Sequence, residues 1–139
     1  MALRPIAVVR AEAHEEHRLT LAAARRLALR CQDELDASQV YLYGSRARDD
    51  WHRGSDCDVM VLSERFAGMK VWESWQLIEP LWDGPVDLQP VGVTPAVFES
   101  AREKGGLVTM ALADGVIALL PGPSATGRVE GGEDAGTNL

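Results

Sequence analysis

The segment that most limits what this chain can fold into runs from Tyr43 to Leu62, YGSRARDDWHRGSDCDVMVL. Its first part is polar and charged, and it passes without a break into Val59, Met60, Val61 and Leu62. A short apolar run of that kind reads as a strand covered on at least one face. Asp56 and Asp58 therefore stand at the mouth of an apolar strand. Two residues apart in extended backbone, their side chains share one face while Cys57 points to the other. Carboxylates held that close repel, and such a site responds by protonating one of them or by binding a cation.

The flanking segments supply the rest of a small sheet. From Val8 to Leu35 no Gly or Pro intervenes, and Leu19, Ala23, Leu27, Cys31 and Leu35 recur every four residues beside Ala24 and Ala28. That spacing predicts an amphipathic helix, with Arg18, Arg25, Arg26 and Arg30 and the acids Glu15, Glu16, Asp33 and Glu34 on its solvated side. His14 and His17 are assigned to the same solvated face. SQVYLYGS predicts a strand over Gln39–Tyr43, and CDVMVLS the next one. KVWESWQLIEPLW reads as a helix ended or kinked at Pro80, with its tryptophans in the core.

After the Gly84-Pro85 turn, Val86, Asp87, Leu88 and Gln89 alternate as a third strand. TPAVFESAREKGG has Thr94 as N-cap, Pro95 at the first helical position and Gly105 and Gly106 at its end. LVTMALADG adds a turn or two of helix, and GVIALL closes as a short strand. From Pro121 onward the chain is rich in glycine and poor in large apolar residues, the composition of a disordered tail. The fold class is α/β (α+β), a small mixed β-sheet with short helices packed on one face, in a single domain over residues 1–120 followed by the tail at 121–139.

Charge and cysteine content narrow the function. The net charge of −7 argues against a broad nucleic-acid surface. It leaves room for a nucleotide approached through a divalent metal. Cys31 and Cys57 lie far apart without a zinc-type spacing, so both read as reduced, structural thiols. No apolar run approaches a membrane span, and the start turns charged too early for a signal peptide, so the expectation is a cytoplasmic protein.

Asp87 is the other acid set between apolar neighbours in a strand. If the third strand lies beside the second, Asp87 joins Asp56 and Asp58 on one polar face, a ligand set suited to one or two Mg²⁺ ions with substrate phosphates. Gly44 ends the first strand, where a missing side chain admits a ligand close to the backbone. The Ser45 hydroxyl and the amides after it can hold phosphate oxygens, with Arg46 or Arg48 adding a guanidinium fork.

These residues spell G-S-x-A-R, six residues, S-D-x-D, which resembles the signature of the minimal nucleotidyltransferases in the DNA polymerase β-like superfamily. Seven specified residues at about one in fifteen each make a chance match on the order of 10⁻⁸ per start position. The order of elements from Leu19 to Leu120 is similar as well. The resemblance implies the polymerase β-like fold. It also implies a nucleoside triphosphate held at Gly44, Ser45, Arg48 and Ser55, two Mg²⁺ ions held by Asp56, Asp58 and Asp87, and Asp87 near the attacking hydroxyl. The family commonly has Gly after Arg48, where this chain has Asp49.

Small stand-alone proteins of this kind are similar to the antitoxins of HEPN/MNT toxin-antitoxin modules. That resemblance implies an antitoxin transferring AMP from ATP to a tyrosine of a helical HEPN toxin, in a type VII-like system and within a hetero-oligomer. A nucleotidyltransferase-fold antitoxin that neutralises its partner by contact alone is the alternative. Transfer to a small molecule such as an aminoglycoside is a third reading, disfavoured because no second substrate-binding domain is evident.

Overall fold

The computed structural model describes residues 4–104 and 115–121. In chain order these form α1 (Ile6–Leu35), β1 (Gln39–Tyr43), α2 (Ser45–Arg48), β2 (Cys57–Leu62), α3 (Val71–Ile78), β3 (Leu88–Val93), α4 (Pro95–Lys104) and β4 (Ile117–Ala118). The strands make one mixed sheet in the order β3-β2-β1-β4. β1 runs antiparallel to β2 and β4, whereas β2 and β3 are parallel. Parallel neighbours need a crossover, and α3, continued by a 3-10 turn at Glu79–Leu81 where Pro80 stands, provides it.

One face of the sheet carries the main core. Val40, Leu42, Cys57, Val59, Val61 and Leu88 pack there with Ala24, Leu27, Ala28, Cys31 and Leu35 of α1 and Ile78 of α3. The alanines in the α1 stripe let that helix lie close to the sheet. The opposite face is also covered. Met60, Leu62 and Phe98 of α4 pack there with Tyr41, Tyr43 and Val93, and the Tyr41 and Phe98 rings stack at 5.3 Å. Helices therefore cover both faces, not the single face that the sequence suggested, because α4 folds back beneath the aromatic side of β1.

The third strand starts two residues later than the Val86 alternation predicts and runs through Pro90 to Val93. Among the described residues β3 is an edge strand, paired with β2 alone. Pro90 is tolerated there because the bonds to β2 come from the alternate residues, beginning with the Asp87 carbonyl, which accepts from Cys57 N at 2.8 Å. Gly92, on the same side of the backbone as Pro90, turns its N–H to Ser74 Oγ at 3.0 Å. A Cβ at Gly92 would sit 2.7 Å from Ser74 Cβ, so the close packing of α3 on β3 depends on that glycine.

Two apolar expectations fail at the surface. Leu19 is 42% exposed and Trp72 57% exposed. The stripe on α1 is buried only from Thr20 onward, where the helix reaches the sheet. β4 is shorter than GVIALL, but Gln39 extends its ladder, since its side-chain amide both donates to Leu120 O and accepts from Leu120 N. The predicted helical turn at LVTMALADG and the predicted tail lie outside the described residues, apart from Gly115 and Pro121. No described helix is long and apolar enough to cross a membrane.

Candidate active site

β1 ends at Tyr43, and the chain turns through Gly44 with φ 76° and ψ −160° into the single turn of α2. That backbone region is accessible essentially only to glycine. Steric room imposes the same requirement, because a Cβ at Gly44 would overlap Asp58 Oδ2 and stand 3.1 Å from Asp58 Cγ. The Gly44 carbonyl accepts from Ala47 N and Arg48 N, both at 3.0 Å, which starts α2 directly against the carboxylate. Ser45 is half-buried at the head of this turn.

Tyr43 and Asp58 are register partners across β1 and β2 and so share a face of the sheet. Cys57 points the other way, fully buried in the main core, as the alternation of the strand requires. Burial pushes the Asp58 carboxyl above the usual range, the Asp56 charge pushes it further, and Arg48 opposes both. Tyr43 is pushed up by burial and by Asp58. Asp56 itself is exposed. Asp56 is therefore close enough for its charge to disfavour that of Asp58, which is partly withdrawn from water.

Asp87 precedes β3, with Leu88 in register with Cys57 and Gln89 with Asp58. Its carbonyl is in the ladder, and its side chain is exposed. Among the described residues no three His, Cys, Asp or Glu side chains are drawn together into a metal-binding group. What the structure brings together is the pair, with Asp87 immediately before the neighbouring strand β3. Hard carboxylate oxygens that repel one another, beside a glycine whose side chain is missing, suit a divalent cation.

The remaining predicted binders are placed differently from one another. Arg48 lies at the surface with its Nε 3.2 Å from Asp50 Oδ2, and its charge reaches Asp58. Ser55 uses its hydroxyl to accept from His52 N at 2.7 Å, which closes the loop before β2. Arg46, one of the two expected phosphate forks, is turned inward and is 2% exposed. It donates to the Ser55 carbonyl instead, and meets His17 Nδ1 at 3.0 Å and Glu16 Oε1 at 3.2 Å.

Asp49 adopts a left-handed conformation, φ 69°, in the position where glycine was anticipated. Asp is among the few side chains that visit this region readily. Its Oδ1 accepts from Trp51 Nε1 at 3.0 Å, so its charge is engaged by the indole. Trp51 then stacks on His17 with 4.4 Å between ring centroids, and meets His14 edge-on at 5.3 Å. The His14 and His17 face is therefore a docking face for the loop and not the solvated surface anticipated. Burial, and then the Arg46 charge, hold His17 below the usual imidazole range.

Glu16, on the side of α1 expected to be solvated, is engaged by the loop as well. It accepts from Gly54 N at 2.6 Å, the contact that does most to hold its carboxyl below the usual range. The spacing of three between His14 and His17 was the one visible sign of this face. Nothing in the sequence linked it to a loop more than thirty residues away.

The sequence matches the family model for the nucleotidyltransferase domain over residues 24–104, more than half of the chain. No curated protein matches it. Among solved structures, it is similar to a crystal structure from Sulfolobus solfataricus described as that of a candidate nucleotidyltransferase. The two are 22% identical, with a TM-score of 0.50 over 66% of this chain and 78% of that one, a likeness of fold. The matched stretch includes the Gly44 turn, the Asp56 and Asp58 pair and the neighbouring β3. With that fold and that match, the chain belongs to the nucleotidyltransferase domain family.

Proposed function

We propose that this chain is a Mg²⁺-dependent adenylyltransferase that moves AMP from ATP to a hydroxyl of a partner protein. The observation that carries the reading is the contact of Gly44 with Asp58 at the mouth of β2, with Asp56 close enough to raise the Asp58 pKa. Asp56 and Asp58, joined by Asp87 from the adjoining strand, are the residues that would hold Mg²⁺. Metal bound there would supply positive charge against the charge that develops during phosphoryl transfer. The chain's own groups do the rest by positioning.

Gly44 leaves room for the triphosphate. Ser45 and the amides that open α2 hold its oxygens, and Arg48 offsets charge beside Asp58. The acceptor hydroxyl passes its proton to Asp87 and attacks the α-phosphorus. A bond forms between that oxygen and phosphorus as the bond to the β-phosphate breaks, and pyrophosphate departs. By resemblance to the minimal nucleotidyltransferases, the acceptor is a tyrosine on a HEPN-type helical toxin and the chain is its antitoxin.

One observation favours a second reading, in which the chain neutralises its partner by binding alone: Asp87 does not close on the pair to complete a three-carboxylate group among the described residues. A single experiment separates the two. ATP labelled at the α- or the γ-phosphate is supplied with Mg²⁺ and host lysate, with an Asp56→Asn, Asp58→Asn double variant as control. Transfer predicts label on one small protein from the α-position only, lost in the variant. Equal silencing of a recovered partner by wild type and variant, with no label attached, supports binding alone.

A further inference from the structure

We propose that Arg46 is a positioning residue for the carboxylate pair, fixing the entrance of β2 against α1 through Glu16 and His17. This rests on the nucleotidyl-transfer reading of Asp56 and Asp58. The Arg46 side chain has no exposed surface. Its Nε and one terminal nitrogen both donate to the Ser55 carbonyl, at 3.1 and 2.9 Å. That same terminal nitrogen meets Glu16 Oε1 at 3.2 Å, and the other meets His17 Nδ1 at 3.0 Å. A guanidinium is a donor only, so His17 Nδ1 accepts and the imidazole carries its proton on Nε2.

A buried cation persists only when it is paired and hydrogen-bonded. Arg46 has one carboxylate, one carbonyl and one imidazole nitrogen, with the Trp51 ring 5.6 Å from its guanidinium carbon. These partners come from two places, α1 and the loop, and the guanidinium joins them. Ser55 is the residue before Asp56. On the far side of Asp56, Cys57 is anchored by its N–H on Asp87 O and by its side chain in the core. The Asp56 backbone is thus held on both sides, and Arg46 supplies the hold that reaches α1. Glu16 reinforces it by accepting from Gly54 N at 2.6 Å.

Groups that orient metal ligands from behind typically cost 10- to 100-fold in metal affinity or activity when changed. Arg46→Lys keeps the charge but loses the planar fork that reaches Ser55, Glu16 and His17 together. Glu16→Gln keeps an acceptor for Gly54 and removes the charge facing Arg46. In the full chain, Mn²⁺ affinity is read by water-proton relaxation, nucleotide transfer by kcat and KM, and folding by thermal unfolding.

The expected result for Arg46→Lys is a folded protein whose Mn²⁺ affinity and kcat fall by about 10- to 100-fold, with nucleotide KM little changed. Glu16→Gln shows a smaller loss of the same two quantities, and it decides the question if Arg46→Lys does not fold. A folded variant with wild-type Mn²⁺ affinity and kcat, altered only in melting temperature, overturns the proposal. A wild-type chain that neither binds Mn²⁺ nor transfers a nucleotide overturns the reading of the site itself, and shows this before any variant is made.

Discussion

Gly44 and Asp58 occupy one another's space: the carboxylate of Asp58 lies where a side chain at position 44 would begin, and Gly44 holds φ 76°, ψ −160° to make this possible. The turn after β1 and the acid on β2 are therefore a single steric unit. A side chain cannot be added at position 44 without moving Asp58.

Gly44→Ala tests that unit. The backbone region costs a non-glycine residue about 1–3 kcal/mol, and displacement of Asp58 adds to it. The expected outcome is an unfolding free energy from denaturant titration lower by that amount or more, together with loss of transfer activity. An alanine variant with the wild-type midpoint would show that the turn relaxes freely.

Asp58 gives a pH dependence of stability with a defined sign. Its folded pKa is raised, by burial first and Asp56 second, so the folded state binds the proton more tightly than the unfolded chain does. The stabilising contribution is complete below the unfolded carboxylate range and is lost as pH rises through the folded value. At neutral pH without divalent metal, the ionised carboxylate is a liability. Asp58→Asn is expected to melt at a higher temperature than wild type at pH 7, with the difference shrinking toward pH 4, while transfer falls at least about 100-fold. Thermal melts in EDTA across that range check the sign.

Arg26 and Arg30 of α1 both reach Asp83, at 2.9 and 3.0 Å, just ahead of β3. Hydrogen bonds from Arg26 and then Arg30 hold the Asp83 carboxyl down to about 2. A depressed carboxylate stabilises above its unfolded pKa, and the contribution disappears as pH falls through about 2. Because Asp83 is 42% exposed, solvent and salt screen the network. Asp83→Asn is expected to cost no more than about 1 kcal/mol at pH 7 and low salt, less at 1 M salt, and nothing below pH 2. Denaturant titrations at the three conditions measure it.

The two thiols offer a test of the core. Cys31 and Cys57 are fully buried, and burial pushes both up to about 12. Thiolate is the reactive form. Neither cysteine is expected to react with an alkylating reagent at pH 8 in the native protein, and both are expected to react once it is unfolded. Rapid labelling of Cys57 in native protein would show that β2 opens beside Asp56 and Asp58.

What could be read without the structure was whatever depends on residues near one another in the chain. The periodicity of α1, the bounds of β1, the apolar run of β2 and the closeness of Asp56 to Asp58 follow from backbone geometry acting over a few residues. The G-S-x-A-R and S-D-x-D spacing carried the family in the same local way. What only the tertiary structure decided was the partner of each polar group. Arg46 and Arg48 are two residues apart in one helical turn, so nothing local told a buried guanidinium from a surface one. The difference arises because α1 passes behind the loop and offers Glu16 and His17 to Arg46. Those contacts span about thirty residues of sequence, and they are set by how α1 packs on the sheet. The late start of β3 has a similar cause, since its register is fixed by pairing with β2 and by Gly92 against Ser74, not by the alternation at Val86 to Gln89.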